Sequence, residues 1–151
     1  MPVLTLDTPV GPLSVHDTDG AITRVSWRTA PSDGTSALLE DAAAQLRAYF
    51  AGTLTAFDLP LQVRGSALQQ AVCAHMRAIP FGETLTYGDI AKRLGVPAQA
   101  IGQACGGNPI PVIIPCHRVL GATSLGGFSG EGGVETKVAL LRHEGAAGLL
   151  I

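Results

Sequence analysis

The sequence predicts an α+β protein, a small antiparallel sheet with one helix followed by a mainly helical second half that holds a helix-turn-helix candidate. Three observations predict it. Apolar and polar residues alternate between turn residues over positions 3 to 28, helical spacing takes over after Ser36, and short helical patterns bounded by glycine and proline fill the chain beyond Gly65.

Val3, Leu4 and Leu6, then Leu13 and Val15, then Ile22, Val25 and Trp27 are punctuated by Pro9, Gly11-Pro12 and Asp19-Gly20, which reads as a small antiparallel meander. The segment from Thr29 to Thr35, with Pro31, Asp33 and Gly34, is a loop. Ser36 then caps a helix that sets Leu38, Leu39, Ala42, Leu46 and Phe50 at helical spacing and stops at Gly52. From Thr53 to Gly65 the periodicity lapses around Pro60. That stretch is the expected linker, dividing an N-terminal α+β domain of residues 1–60 from a second domain of residues 61–151.

In the second half, Ser66 with Gln69 three residues on is a capping-box signature, and Leu68, Val72 and Met76 form one apolar stripe that Ile79-Pro80-Phe81-Gly82 ends. Thr86 with Asp89 repeats the box ahead of Tyr87, Ile90, Ala91 and Leu94, closed by Gly95. Pro97 sits in the first turn of the next helix, which runs through Ala98, Ile101 and Ala104 to Gly106-Gly107. Two short helices around a tight turn are a helix-turn-helix candidate, a spacing shared with many helical proteins that never touch DNA. Ile110 to Ile114, with Pro111 and Pro115, reads as a buried extended segment. A glycine-rich stretch from Gly121 to Gly133 follows. A last helix then puts Val134, Val138 and Leu141 on one face and ends at Gly145.

Composition bounds the function classes. With 151 residues, 46% hydrophobic and 15% charged, the chain buries enough apolar surface to offset the entropy of ordering it and folds unaided. The start of the chain lacks a basic region followed by an apolar stretch, and no run reaches ~18 apolar residues, so neither a signal peptide nor a membrane span is expected. The cytoplasm is the expected compartment. Cys73, Cys105 and Cys116 are odd in number with no CxxC pairing, which leaves at least one thiol free and suggests no zinc site. His16, His75, His117 and His143 do not cluster with the cysteines at ligand spacing, so no metal is expected. The net charge of −2 lacks the excess of Lys and Arg that marks nucleic-acid binders, and composition alone favours a small-molecule enzyme.

The chemistry begins at Cys116. It follows a proline, precedes His117, and stands between a buried run and a flexible glycine loop. A neighbouring imidazole lowers a thiol's pKa or takes its proton, directly or through a water. The dipeptide alone does not separate that from a plain buried cysteine. Cys73 and Cys105, set among alanines and glycines in helical patterns, read as packing residues.

The longer string Asn108-Pro109-Ile110-Pro111-Val112-Ile113-Ile114-Pro115-Cys116-His117-Arg118-Val119 resembles the active-site signature of the O6-alkylguanine-DNA alkyltransferases. Matching blocks extend the resemblance over residues 66 to 145: Ile79 to Thr84 with Tyr87, Gly126 to Gly130, and Leu140 to Gly145. Residues 1 to 60 match more loosely, through Pro9 to Leu13 and Tyr49 to Gly52. The resemblance implies a winged helix-turn-helix-like active-site domain, and irreversible, stoichiometric transfer of an alkyl group from O6-alkylguanine in double-stranded DNA to Cys116. It implies a monomer with no cofactor. By the family's pattern His117 is the base acting through a water, and Glu144 accepts the other imidazole N–H. Asn108 ties the recognition helix to the active-site segment, and Tyr87 donates to the departing guanine. Val119, Phe128, Ser129 and Cys105 fall to the substrate pocket, with the Val119 and Cys116 carbonyls offered to the exocyclic amine. Ala98, Gln99, Ala100 and Gly102 fall to a helix that enters the minor groove. The product thioether has no facile return to thiol.

The sequence departs from the family's pattern in places. Gln99 stands where an arginine is usual, Gly106 leaves a second polar position empty, Phe128 replaces a tyrosine, and Cys73 replaces a common tryptophan. Modest duplex affinity with a shallow salt dependence is expected. Two other classes stay open. A thiol hydrolase or peptidase using Cys116, His117 and Glu144 would turn over, and a non-catalytic lesion-binding module would lack the nucleophilic cysteine.

Overall fold

The computed structural model describes residues 2–32, 34–122, 125–126 and 133–146. The chain divides into two compact units, residues 1–64 and 65–151.

In the first unit, β1 (Val3–Thr8), β2 (Gly11–Thr18) and β3 (Ala21–Ser26) form an antiparallel sheet in the order β1-β2-β3, as the alternation predicts. The β2–β3 turn is the two-residue Asp19-Gly20, both at positive φ (+53° and +82°), the geometry that matches the twist of hairpin strands. Asp17 accepts the Gly20 amide at 3.0 Å and the Ser36 hydroxyl at 2.7 Å, tying this turn to the start of the helix. That helix, α1 (Ala37–Phe50), is capped by Ser36, whose hydroxyl accepts the Leu39 amide at 3.1 Å. It packs on all three strands. Leu13, Val15, Ile22, Leu39 and Leu46 have no solvent exposure, each contributing about 1.5–3 kcal/mol by leaving water.

Two expectations need correction in this unit. Leu38 and Phe50 are only half-buried. The inward position is taken by Tyr49, fully buried with its ring centre 5.0 Å from Phe50 and 5.4 Å from Phe57. Nor is Thr53 to Gly65 a linker throughout. Ile22 donates to the Pro60 carbonyl at 2.8 Å and accepts the Gln62 amide at 2.9 Å, so this short stretch pairs in parallel along the outer edge of β3. An edge strand carries unpaired backbone groups, and these bonds satisfy those of Ile22.

The second unit contains α2 (Ala67–Arg77), β4 (Leu85–Thr86), α3 (Tyr87–Leu94), α4 (Ala98–Gly106), a 3-10 turn (Cys116–Arg118), β5 (Val119–Leu120) and α5 (Val134–Glu144). Helix α2 packs against both α4 and the 3-10 turn, and β4 pairs in parallel with β5. Ser66 caps α2 by accepting the Gln69 amide. The Gln69 side chain does not return the bond to close a box. It donates 2.8 Å to the Ala104 carbonyl and so ties α2 to α4. The box at Thr86 and Asp89 is complete in both directions, at 3.0 and 2.8 Å. Gly95 ends α3 in the left-handed conformation, and Pro97 is the N-cap of α4 rather than a residue of its first turn.

The run from Ile110 to Ile114 is buried as expected but is not extended. Val112 has φ +71°, and the Ile114 amide reaches back to the Ile110 carbonyl at 2.8 Å. Pro111 and Pro115 lack the N–H that a strand ladder uses, so the chain satisfies its groups by folding on itself. Helix α5 is also rotated from its predicted face. Val134 is 45% exposed and Val138 half-buried, while Thr136, Lys137, Leu140, Leu141 and Glu144 point inward. Among the described residues no helix is long and apolar enough to cross a membrane.

Candidate active site

Cys116 opens the 3-10 turn and is 6% exposed. Two features hold the turn. The Asn108 side chain, just beyond α4, accepts the Ile110 amide at 3.0 Å and donates to the Ile114 carbonyl at 2.8 Å, locking the segment that leads to Cys116. Packing of α2 and α5 against the turn does the rest. Burial pushes the Cys116 thiol up to about 11, with the Asn108 side chain and the Lys137 ammonium pulling the other way. The expectation that an adjacent imidazole lowers this pKa is therefore not met, because desolvation of the thiolate dominates. The sulfur stays a thiol until a base removes its proton.

His117 has no solvent exposure. Its Nε2 lies 2.7 Å from Glu144 Oε2, and its Nδ1 is buried with no hydrogen-bond partner among the described residues. Burial lowers the His117 pKa, opposed by Glu144 and assisted by Arg118 and Lys137. A neutral ring that donates Nε2–H to the carboxylate leaves the Nδ1 lone pair open to a proton.

Glu144, at the end of α5, is buried rather than a solvated helix-end acid. Arg118 grips it with a fork, Nε to Oε1 at 2.8 Å and Nη2 to Oε2 at 2.9 Å, and sends Nη1 to the Ile79 carbonyl at 2.7 Å. Sequence reasoning gave Arg118 no role. Lys137 was missed as well. It is wholly buried, donates from Nζ to the Val119 carbonyl at 2.6 Å, and stands 5.7 Å from the centre of the Tyr87 ring. Burial lowers its pKa, and the nearby Cys116 and Cys105 sulfurs oppose that. The available signal was positional, since Lys137 lies seven residues before Glu144 and therefore on the same helical face.

Tyr87 begins α3 and is half-buried, with burial, then Cys105 and Cys116, raising its pKa so that the hydroxyl remains a donor. Gly126 lies against it, where a Cβ would stand 2.7 Å from the Tyr87 oxygen. Cys105, on α4, is buried with its thiol 3.6 Å from the Met76 sulfur, and burial followed by Cys116 pushes it up to about 12. The Val119 carbonyl accepts from Lys137 and the Cys116 carbonyl from the Val119 amide, so each already uses one lone pair. Phe128 and Ser129 lie outside the described residues.

Helix α4 exposes Ala98 and Gln99, with Ala100 and Gly102 half-buried. It carries no charged residue. A Cβ at Gly102 or Gly106 would meet nothing within 4 Å, so internal packing does not require glycine at either position. Among the described residues no group of three or more His, Cys, Asp or Glu side chains is arranged to hold a metal ion.

Residues 67–146 match the family model of the 6-O-methylguanine DNA methyltransferase DNA binding domain, and residues 3–63 match that of the same family's ribonuclease-like domain. The chain belongs to this family. Its relatives include methylated-DNA–protein-cysteine methyltransferases of Mycobacterium tuberculosis, 41% identical over 93% of this chain and 90% of the relative. A constitutive enzyme of that name from Bacillus subtilis is 37% identical over 93% of each chain. The crystal structure of Mycobacterium tuberculosis OGT in complex with DNA superposes with a TM-score of 0.85 at 41% identity, covering 96% of this chain and 93% of that one. This methyltransferase thus shares its α+β fold with solved members of the family over nearly its whole length.

Proposed function

We propose that this chain repairs DNA by moving an alkyl group from the O6 atom of guanine onto Cys116, once per molecule, as a cytoplasmic monomer that meets one lesion with one thiol. The observation that carries the reading is the buried His117, held through Nε2 by Glu144 at 2.7 Å with Nδ1 unpartnered, directly after the Cys116 thiol.

The thiol needs a base, given its raised pKa. His117 Nδ1 takes the proton, directly or through a water. The sulfur attacks the saturated carbon in line, the C–S bond forms as the C–O bond breaks, and the electron pair leaves on guanine. The Tyr87 hydroxyl donates to the purine as that charge develops. The family relationship and the raised Tyr87 pKa support this role. O6 is hidden within a duplex, so the nucleotide is extruded into the site. Helix α4 faces the DNA, and its open glycines let backbone approach the groove closely. The product is a thioether, and the molecule is spent.

Intact-mass spectrometry tests the reading. After incubation with DNA containing O6-methylguanine, the protein gains one methyl group on Cys116, and with free O6-benzylguanine one benzyl group. Cys116→Ser gains neither. Many turnovers without a mass change would instead identify a thiol hydrolase.

A further inference from the structure

We infer that Arg118 is a positioning residue for the transfer: by neutralising Glu144 through its fork it keeps His117 in the uncharged form whose Nδ1 accepts the thiol proton. The inference rests on reading Cys116 as the acceptor and His117 as its base.

A buried carboxylate facing an imidazole on its own draws a second proton onto the ring, because an isolated charge in a low-dielectric interior is costly and an ion pair relieves it. An imidazole with both nitrogens protonated has no lone pair and takes nothing from a thiol. Here Glu144 Oε2 is shared, 2.7 Å from His117 Nε2 and 2.9 Å from Arg118 Nη2, and Oε1 takes the Arg118 Nε at 2.8 Å. The bond from Nη1 to the Ile79 carbonyl fixes the guanidinium plane. The carboxylate therefore has a permanent counter-charge, and the imidazole needs only to donate one neutral N–H.

The groups acting on His117 fit this. Helix α5 brings Glu144 and Lys137 and the turn itself Arg118, while Cys105 of α4, Tyr87 of α3 and Cys73 of α2 interact with the neighbouring Cys116. The three thiols and the phenol all have raised pKa values and are uncharged near neutrality. The charges that remain are one carboxylate against two cations. Burial and both cations favour the neutral ring, and Glu144 alone opposes them.

The test follows the rate of Cys116 alkylation by free O6-benzylguanine against pH, with nitrogen NMR of His117, in wild type, Arg118→Met, Arg118→Lys and the double variant Arg118→Met/Glu144→Gln. In wild type His117 is neutral at pH 7 with the proton on Nε2. Arg118→Met, folded by circular dichroism, carries a doubly protonated His117 at pH 7, and its rate profile moves to higher pH with roughly tenfold loss per unit of displacement. Arg118→Lys restores most of the profile, and the double variant returns its midpoint to the wild-type position. A folded Arg118→Met with the wild-type midpoint overturns the inference, as does a doubly protonated His117 in wild type at pH 7. Should Arg118→Met not fold, a double variant whose midpoint lies well above wild type overturns it. Failure of the underlying reading is a separate result, a wild-type protein whose Cys116 gains no benzyl group.

Discussion

Lys137 holds a fully buried ammonium 2.6 Å from the Val119 carbonyl oxygen, on a helix whose exposed positions include Val134. The cation favours ionisation of Cys116 against the burial that opposes it. Lys137→Met removes that help, so the thiol pKa climbs beyond about 11 and alkylation at neutral pH slows roughly tenfold per unit of rise. Stability changes less, since losing a desolvated charge offsets the ~1–3 kcal/mol of an unpaired carbonyl. Rapid-mixing alkylation assays and urea titration separate the two effects.

Glu144→Gln leaves the Arg118 guanidinium buried against a neutral amide. Breaking a buried pair by removing one partner costs about 3–5 kcal/mol. Chemical denaturation reads this loss, and the double variant Arg118→Met/Glu144→Gln recovers much of it.

Gly126→Ala introduces a methyl 2.7 Å from the Tyr87 oxygen and 2.9 Å from its Cε2, at a φ of +74°. Backbone strain there costs on the order of 1–3 kcal/mol, and the Tyr87 ring has to move. The expected signature is a lower melting temperature together with slower alkyl transfer. An unchanged rate in a destabilised variant would separate Tyr87 position from catalysis.

Gln99→Arg adds a cation to a helix that has none. Duplex binding tightens, and the slope of log K against log salt steepens by about 0.9 for each phosphate newly neutralised. Fluorescence anisotropy over a salt series measures both. Indistinguishable curves would show that this position does not limit affinity.

Alkali exposes the cost of burying thiols. Cys105 is raised from 9.0 to about 12, so above pH 9 the unfolded chain releases this proton while the folded chain keeps it. The unfolded state then binds fewer protons, and stability falls as pH rises. Cys105→Ala escapes this and loses about 2 kcal/mol less than wild type between pH 9 and 11. His117 acts at the other end. Its folded pKa lies below 6.5, so the unfolded chain protonates first and stability declines as pH drops through that range.

The parts legible in the sequence are those decided within a few residues. Ser36, Thr86 with Asp89, and Gly95 mark helix ends because a cap is satisfied by its immediate neighbours. The Cys116-His117 pair and Glu144 were found through a motif order rather than through any local property. Lys137 and Arg118 escaped because their inward orientation depends on partners far along the chain, Val119 for one, Ile79 and Glu144 for the other. The phase of α5 is not legible for the same reason, since a polar buried stripe of Thr136, Lys137 and Glu144 has no hydrophobic pattern. Val112 gave no warning of its left-handed backbone, because a β-branched residue there contradicts local preference and is held by the Asn108 bonds around it.

The short pairing of Pro60 and Gln62 with Ile22 gives the first unit a guarded flank. With the hydrogen-bonding groups of Ile22 taken from within, and Pro60 offering no amide of its own, that side is a poor template for recruiting a strand from another copy.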